Sequence, residues 1–561
     1  MRLKLTIEYV GDLIVKNIAI ILKQMEEDEV FTFVKELTKG LLKLGGVFIF
    51  ALDRTGRVFC EGVRTVDVGV TSDYYEYNIG YYKKKYGIDY SISIGDMMNA
   101  ANVRTSQRDE TTILVEHTLC NGALIKERVR RDRYYKYADK IITIENYSDE
   151  NKITDILDFV ERPKRKHDVQ DEELNIDVQL LQNRDSIYIY GAGLLGRAFY
   201  LRNKGLRDRI RGFVVTKKSS RETELFGIPV VEMASVAPAA ESSVFVIAVC
   251  EKYIDEVLGT LFDYGCINIC FPYYAAPFCY EYYKNNSENI NEKEELLNLY
   301  SYYTGKTMDL DRVQTYNEKL QWMKYYDKSD KSAYTDKYLV RKYIREKIGE
   351  GYLVPCLGVW EKYDDIDFGS LPDRFVLKCT HASGYNVIVK NKNSLDHEKN
   401  RILFEKWLSI EYKHVAFANE YEGIYPRIIA EKMLEDETGE LKDYKVFVFG
   451  GKARMIQVDI DRSTNHKRNL YTTDWEYIPC SILYPTAPNI NVEKPKMLPE
   501  LIEISEKISE GFAHVRTDFY ICNDKIFFGE MTFRHGGGYE PFDPEGFGLE
   551  MGSWLKVGKE A

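Results

Sequence analysis

At 561 residues the chain is too long for one hydrophobic core, and its length suggests three or four domains. A hydrophobic content of 44% and a charged content of 29% are ordinary for a globular protein. The net charge of -11 argues against a nucleic-acid or anionic-membrane partner, which would need a basic footprint, yet it leaves room for a local phosphate pocket. The 10 cysteines form no CxxC pair and no Cys/His cluster at zinc spacing, so they read as free thiols in a reducing compartment. No apolar run reaches the roughly 18 residues of a transmembrane segment. The most apolar N-terminal stretch, Leu13 to Leu22, is broken by Lys16 and Asn17 and lacks a signal-cleavage pattern. A cytoplasmic protein is expected.

Two polar stretches divide the sequence. Glu161 to His167, continuing through Arg184, is charged and has no sustained apolar period; Asn285 to Glu295 repeats that character. Three modules follow, over 1–165, 180–280 and 300–557. In each, short apolar strands alternate with helix-length patterns, so the fold class is α/β and α+β.

In the first module an amphipathic helical stretch over 8–43 precedes the strand Val47 to Ala51. The polar turn Asp53-Arg-Thr-Gly56 opens the next helix. Ile94-Gly-Asp96 and the hydroxyl-rich Arg104 to Thr112 come later, and Tyr137 to Ile144 closes the module as an edge strand. This order resembles the sugar isomerase (SIS) domain, a parallel-sheet fold whose two loops hold a sugar phosphate at helix N-termini. Arg54, Thr55 and Gly56 match its first loop; Thr105, Ser106, Glu110 and Thr111 match its second. The chain departs from that pattern where Leu52 and Asp53 replace glycines and where Arg108 or Asp109 replaces another. The resemblance therefore leaves two readings, a degenerate scaffold or a retained sugar-phosphate site, and implies a possible homodimer, since such domains pair.

In the second module the apolar strand Asp185 to Tyr190 runs into Gly191-Ala-Gly193-Leu-Leu-Gly196 and then a helix. Gly191, Gly193 and Gly196 permit a tight turn and the approach of a pyrophosphate to the helix N-terminus. Strands at Arg211 to Val215 and Ser243 to Val249 follow. The second strand ends in Thr216-Lys-Lys218 and not in the acidic residue that grips an adenosine ribose. The run Gly212 to Val215, with Gly227 to Val230, looks like the small Rossmann-like domains of nucleotide-sugar-modifying enzymes. A nucleotide-sugar site and an empty structural fold both remain open.

In the third module Asp336 is placed to cap a helix starting at Lys337 and ending at Ile348-Gly349. The strand Phe375 to Cys379 delivers Lys378 beside the flexible turn Thr380 to Asn386, and Val387 to Lys390 returns. A strand lysine next to a Gly/Ser hairpin can clamp a triphosphate. Ile428 to Leu434 and Asp443 to Phe449 come next. Val515 to Tyr520 and Ile526 to Thr532 then form a hairpin around Asn523-Asp524-Lys525. Asp518 and Glu530 are separated by an even number of residues, so a suitable register sets both carboxylates on one sheet face, as hard oxygen ligands for magnesium.

Tyr316 to Met323, Phe375 to Gly384, Asp443 to Phe447, Gln457 to Arg462 and Asn465 to Arg468 together resemble the teichuronopeptide-biosynthesis (TupA-like) type of ATP-grasp protein, over nearly the whole module. The resemblance implies an ATP- and Mg2+-dependent carboxylate–amine ligase of bacterial cell-surface polysaccharide synthesis, acting through an acyl-phosphate on a small-molecule, glycan or peptide substrate. It implies that Lys337 and Lys378 bind phosphates beneath His381, Ser383 and Gly384. It makes Glu431 to Leu434, including Met433, an adenine-reading hinge, and Asp443 a ribose contact. Asp518 and Glu530 become magnesium ligands, with Thr532 where many relatives place an asparagine. Arg516 is expected to steady the acyl-phosphate; Asp459, Asp461, Arg462, His466 and Arg468 are expected over the acceptor pocket. Two other functions stay open, a kinase of glycan hydroxyls and a non-catalytic nucleotide-sugar-sensing scaffold.

Overall fold

The computed structural model describes residues 16–22, 28–51, 63–67, 75–94, 111–117, 138, 140–144, 150–161, 181, 184–217, 223–249, 253–266, 268–270, 280–415, 417–435, 441–460, 465–490 and 492–558. The chain divides into two compact units, Met1–Tyr282 and Tyr283–Ala561.

The first unit contains two six-stranded sheets. In the first sheet every pairing is parallel, in the order Arg64–Asp67, Gly45–Ala51, Lys16–Leu22, Tyr90–Ile94, Thr111–His117, Lys140–Ile144. Residues 16–22 are thus a strand, correcting the helix expected over 8–43; among the described residues of that span the helix is Asp28–Leu41. The reason is burial on both faces. Ile18, Ile20 and Leu22 pack under the helices Asp28–Leu41 and Glu150–Glu161, while Ala19 and Ile21 meet Ile79 of the helix Tyr75–Tyr86. A continuous apolar run suits a central parallel strand, whereas an amphipathic helix needs a polar face. Lys140–Ile144 lies at the sheet edge. Of the sugar-phosphate positions only Thr111 is described, at a strand start; Arg54, Thr55, Gly56, Thr105, Ser106 and Glu110 lie outside the described residues.

The second sheet runs in the order Ile269–Cys270, Val244–Ile247, Ile187–Tyr190, Ile210–Val215, Ile228–Glu232, Glu224–Leu225, parallel except for the last pair. Gly191 leaves the strand end at φ 121°, and the helix begins at Leu194. A Cβ on Gly191 would come within 2.3 Å of the Ala248 carbonyl oxygen, and one on Gly196 within 1.9 Å of the Gly191 carbonyl oxygen. Backbone packing alone therefore demands glycine at both. Gly193 has open space and an extended φ of -78°.

The second unit holds a small and a large antiparallel sheet. The small one has the order Cys356–Trp360, Ile428–Lys432, Phe375–Cys379, Asn386–Val389 and is covered by Phe404 from the helix His397–Leu408. The large one runs Tyr477–Ile478, Lys467–Tyr471, Lys452–Ile460, Asp443–Phe449, His514–Cys522, Lys525–Thr532. Strand alternation splits its residues between two faces. Tyr444, Val446, Val448, Ile456, Val458 and Phe519 pack against the helices Val340–Lys347 and Leu498–Ile508. On the other face, Phe447, Phe449, Met455 and Leu470 lie beneath Tyr316 and Leu320 of the helix Tyr316–Tyr326 and Met551 of the helix Gly546–Trp554.

A capping box of Thr315 and Glu318 starts the helix Tyr316–Tyr326. His514 then fixes it to the sheet. Its Nδ1 lies 2.8 Å from the Val448 carbonyl oxygen and its Nε2 2.8 Å from the Tyr316 hydroxyl. The buried neutral ring donates to the first and accepts from the second, and burial, with Arg534, His535 and Arg516 nearby, pulls His514 down to about 3.

Two outcomes follow. Gly196→Ala should destabilise the first unit by about 1–3 kcal/mol through overpacking, with Gly193→Ala near neutral, as read from denaturant midpoints. An unfolded imidazole titrates near pH 6.5, so below that pH protons favour the unfolded chain until His514 itself titrates near 3. The stability this site contributes above pH 6.5 is lost as pH falls through that window. His514→Gln should flatten this part of the acid limb of the midpoint-versus-pH curve.

Candidate active site

Beyond Phe447, the second face of the large sheet changes character. Polar residues occupy every other position of four strands, as Asp443 and Lys445, Gln457 and Asp459, Arg516 and Asp518, Glu530 and Thr532. The register brings them together. Lys445 lies opposite both Gln457 and Asp518, Asp518 opposite Glu530, and Asp459 opposite both Asp443 and Arg468. Opposed residues share a face, so Asp518 and Glu530 project from the same side of the hairpin. Its turn places Asn523 and Asp524 at φ 51° and 53°, a left-handed conformation these two residue types tolerate.

The charges interlock. Arg516 donates Nε to Asp518 Oδ1 and Nη2 to Asp518 Oδ2, each at 2.7 Å. The same Nη2 donates to Thr532 Oγ1 at 3.1 Å and lies 3.5 Å from Glu530 Oε1. Lys445 Nζ is paired with Asp443, 3.3 Å from Asp459 and 3.8 Å from Asp518. Burial raises Asp518 to about 6, against the pull of Arg516 and Lys445. Burial also pushes Glu530 upward, but Lys337, Arg516, Lys445 and Lys378 together hold it below its ordinary value. Glu530 is the most open of the four carboxylates, its side chain 36% exposed against 7% or less for Asp443, Asp459 and Asp518.

The small sheet supplies Lys378, and the turn before the helix Val340–Lys347 supplies Lys337. Lys378 Nζ donates to Glu431 Oε2 at 2.7 Å, and Arg341 Nη1 donates to Glu431 Oε1 at 3.0 Å. Lys337 Nζ donates to the Ala382 carbonyl at 2.5 Å, which ties it to the turn after Lys378, and burial lowers its pKa. The Asp336 carboxylate accepts from the Tyr338 and Leu339 amides, capping a turn that enters the helix at Val340, later than expected. Ser383 and Gly384 are the exposed tip of the turn after Lys378. His381 instead faces inward, with Nε2 3.1 Å from the Trp407 carbonyl oxygen and a pKa lowered by burial. Glu431 sits inside the ladder, opposite both Cys356 and Val376. Met433 and Leu434, just past the strand end at Lys432, are half-buried.

Further along the large sheet, Arg468 donates to Asp459 at 2.9 Å and to Glu540 at 2.8 Å. His466 lies 3.3 Å from Asp459, and His535 3.0 Å from Glu540. Burial would raise Glu540, yet His535 and Arg468 bring it down to about 2. Asp461 and Arg462 lie outside the described residues. Sequence reasoning gave no role to Lys445, Arg341, His535 or Glu540. A signal for Lys445 was present, a charged residue two positions from Asp443 in an otherwise apolar strand.

This donor set fits a magnesium nucleotide. Among the described residues no group of three or more His, Cys, Asp or Glu could hold a metal. Mg2+ takes one or two carboxylates and completes its octahedron with phosphate oxygens and water, which suits an Asp518–Glu530 pair within a ring of cations.

The model of the TupA-like ATPgrasp family matches residues 318–556. The C-terminal segment is a TupA-like ATP-grasp domain. An ATP-grasp domain takes ATP with Mg2+, which is the nucleotide the donor set above fits. No curated protein matches the chain. Among solved structures, N5-carboxyaminoimidazole synthase from Aspergillus clavatus, in complex with ADP and its ribonucleotide, is 11% identical over 63% of this chain and 70% of its own, with a TM-score of 0.22. D-Alanine-D-alanine ligase from Helicobacter pylori is 12% identical over 43% and 68%, with a TM-score of 0.22. The ATP-grasp ligase PsnB, complexed with a precursor variant, Mg and ADP, is 12% identical over 66% and 99%, with a TM-score of 0.25. At these scores the assignment rests on the family match.

Glu431 neutralises two largely buried cations at once. Glu431→Gln should lower the stability of the ATP-grasp unit by about 3 kcal/mol, seen as a reduced denaturant midpoint.

Proposed function

We propose that the protein is a carboxylate–amine ligase that forms an amide through an acyl-phosphate, on a small-molecule, glycan or peptide precursor of a bacterial cell-surface polysaccharide or teichuronopeptide. The observation that carries this reading is the register that sets Asp518 opposite Glu530 on a face shared with Lys445 and Arg516, electrostatically linked to Lys337 and Lys378. In this reading ATP supplies the phosphoryl group that activates the substrate carboxylate, and Mg2+ offsets charge on the phosphates. Asp518 and Glu530 hold the metal. Lys337 and Lys378 hold the phosphates, with Lys378 released from Glu431 to do so, and Ser383 and Gly384 close over them. Backbone at Met433 reads the base, and Asp443 the ribose. Arg516, oriented by Asp518, faces the charge that develops on the acyl group.

The glycan part of the proposal rests on the two upstream modules, proposed as 1–165 and 180–280 and read as a degenerate sugar-phosphate domain and a nucleotide-sugar-type fold, with pairing of the first giving a homodimer. Their all-parallel and mostly parallel sheets are compatible with it.

Lys378→Ala should weaken MgATP binding to the full chain by roughly 10- to 100-fold, the loss of one charge-assisted contact of about 1.5–3 kcal/mol, measured by titration calorimetry. Unchanged affinity would remove the site assignment. Turnover should yield ADP with an amide; ADP with a phosphosugar would point to a kinase.

A further inference from the structure

Beyond Thr532 the chain turns back through His535-Gly-Gly-Gly538, a motif that none of the roles above includes. Gly536, Gly537 and Gly538 take left-handed backbone, at φ 53°, 62° and 73°, which glycine adopts without strain. The helix Tyr316–Tyr326 holds this turn. Gln321 Nε2 donates to the Gly537 and Gly538 carbonyls at 2.9 and 3.0 Å, and Asn317 Nδ2 donates to the Glu540 carbonyl at 2.8 Å. A Cβ on Gly536 would come within 2.3 Å of Glu540 Cγ, so the turn makes room for the Glu540 side chain. That side chain folds back, and its Oε2 lies 3.0 Å from His535 Nε2. Arg468 anchors the same carboxylate at 2.8 Å.

The other ring nitrogen faces the site. Arg516 Nη1 donates to His535 Nδ1, and an arginine has no acceptor to offer in return. Nδ1 therefore carries no proton, and the neutral ring keeps its proton on Nε2, beside Glu540. Burial, with Arg516 and Arg468 nearby, lowers the His535 pKa despite the pull of Glu540, and so favours that neutral form. Phe447 meets the ring edge-to-face at 5.0 Å and steadies its plane.

Arg516 can be counted donor by donor. Of its five N–H groups, the one on Nε goes to Asp518, and the two on Nη2 go to Asp518 and Thr532, with Glu530 farther off at 3.5 Å. One of the two on Nη1 goes to His535, and the last has no acceptor among the described residues. The Asp518 fork alone would let the guanidinium swing about that pair. A second anchor on Nη1 fixes the direction of the last N–H.

We propose that His535 is a positioning residue of the ligase. Its unprotonated Nδ1 holds Arg516 so that the last Nη1 hydrogen meets an oxygen of the phosphoryl group as it passes from ATP to the substrate carboxylate. This deepens the ligase reading and rests on it. In that step the bond from the γ-phosphorus to the ADP oxygen breaks with its electron pair on ADP, and a bond to a carboxylate oxygen forms. No proton passes through His535.

MgADP with aluminium fluoride, which mimics a phosphoryl group in transfer, tests this on the full chain with acetate as a minimal carboxylate. Calorimetry should show that the fluoride tightens MgADP binding to the wild type. His535→Ala should remove at least about tenfold of that gain, with affinity for MgADP alone within about twofold. His535→Asn, whose side-chain oxygen can stand where Nδ1 does, should restore most of it, and thermal melts check folding. Histidine NMR of the wild type at neutral pH should place the His535 proton on Nε2, with His535→Asn assigning the signal; this result decides even where His535→Ala does not fold. The proposal fails if the fluoride adds no affinity to the wild type, if a folded His535→Ala variant keeps the full gain, or if His535 carries a proton on Nδ1. A wild type that binds no MgADP would instead remove the ligase reading.

Discussion

Asp518 accepts both prongs of Arg516 while lying 3.8 Å from Lys445, and the centre of the large sheet is organised around that buried contact. A carboxylate so enclosed is costly to ionise without cations beside it, and burial raises Asp518 even with them present. The sheet therefore has to deliver Lys445 and Arg516 on the same face, from the neighbouring strand and from Asp518's own. It does so by strict alternation, and the same alternation turns Tyr444, Val446 and Phe519 into the core beneath the helices Val340–Lys347 and Leu498–Ile508. A one-residue slip would put the charges into that core and the apolar side chains into the site.

The polar face is itself divided. At one end Phe447, Phe449, Met455 and Leu470 are sealed by helices, with His514 bridging Tyr316 to the sheet. At the other end the face is left to ionised groups. The apolar end supplies rigidity, so Arg516, which lies opposite Phe447, is held by packing as well as by charge. Lys378 arrives from a separate small sheet, where Glu431 pairs with it and with Arg341 of the helix Val340–Lys347. In the proposed reading a phosphate would compete with Glu431 for Lys378.

The glycines of the first unit show how one motif can carry two demands. Gly191 and Gly196 are required by close backbone approach whether or not a ligand binds, because any Cβ there would meet a carbonyl oxygen. Of the three glycines in the motif, Gly193 alone is free of that constraint. A glycine pattern read as a pyrophosphate turn is therefore also a packing pattern, and the two readings separate only in three dimensions.

Several features were legible along the chain. The strands expected at Asp185 to Tyr190, Phe375 to Cys379 and Val515 to Tyr520 are present as Ile187–Tyr190, Phe375–Cys379 and His514–Cys522, and the even spacing of Asp518 and Glu530 left open a shared face. The helix expected across 16–22 failed because a run buried on both sides has no periodicity to show which element it forms. Sequence could not supply the register that makes Asp518 oppose Glu530, the pairing of Glu431 with Arg341 90 residues away, or the contact of His535 with Arg516. Alternation is a local property of the extended backbone and can be read from residue order alone. Register, ion pairing and side-chain anchoring depend on which distant strands and turns are packed together, and only the tertiary structure decided those.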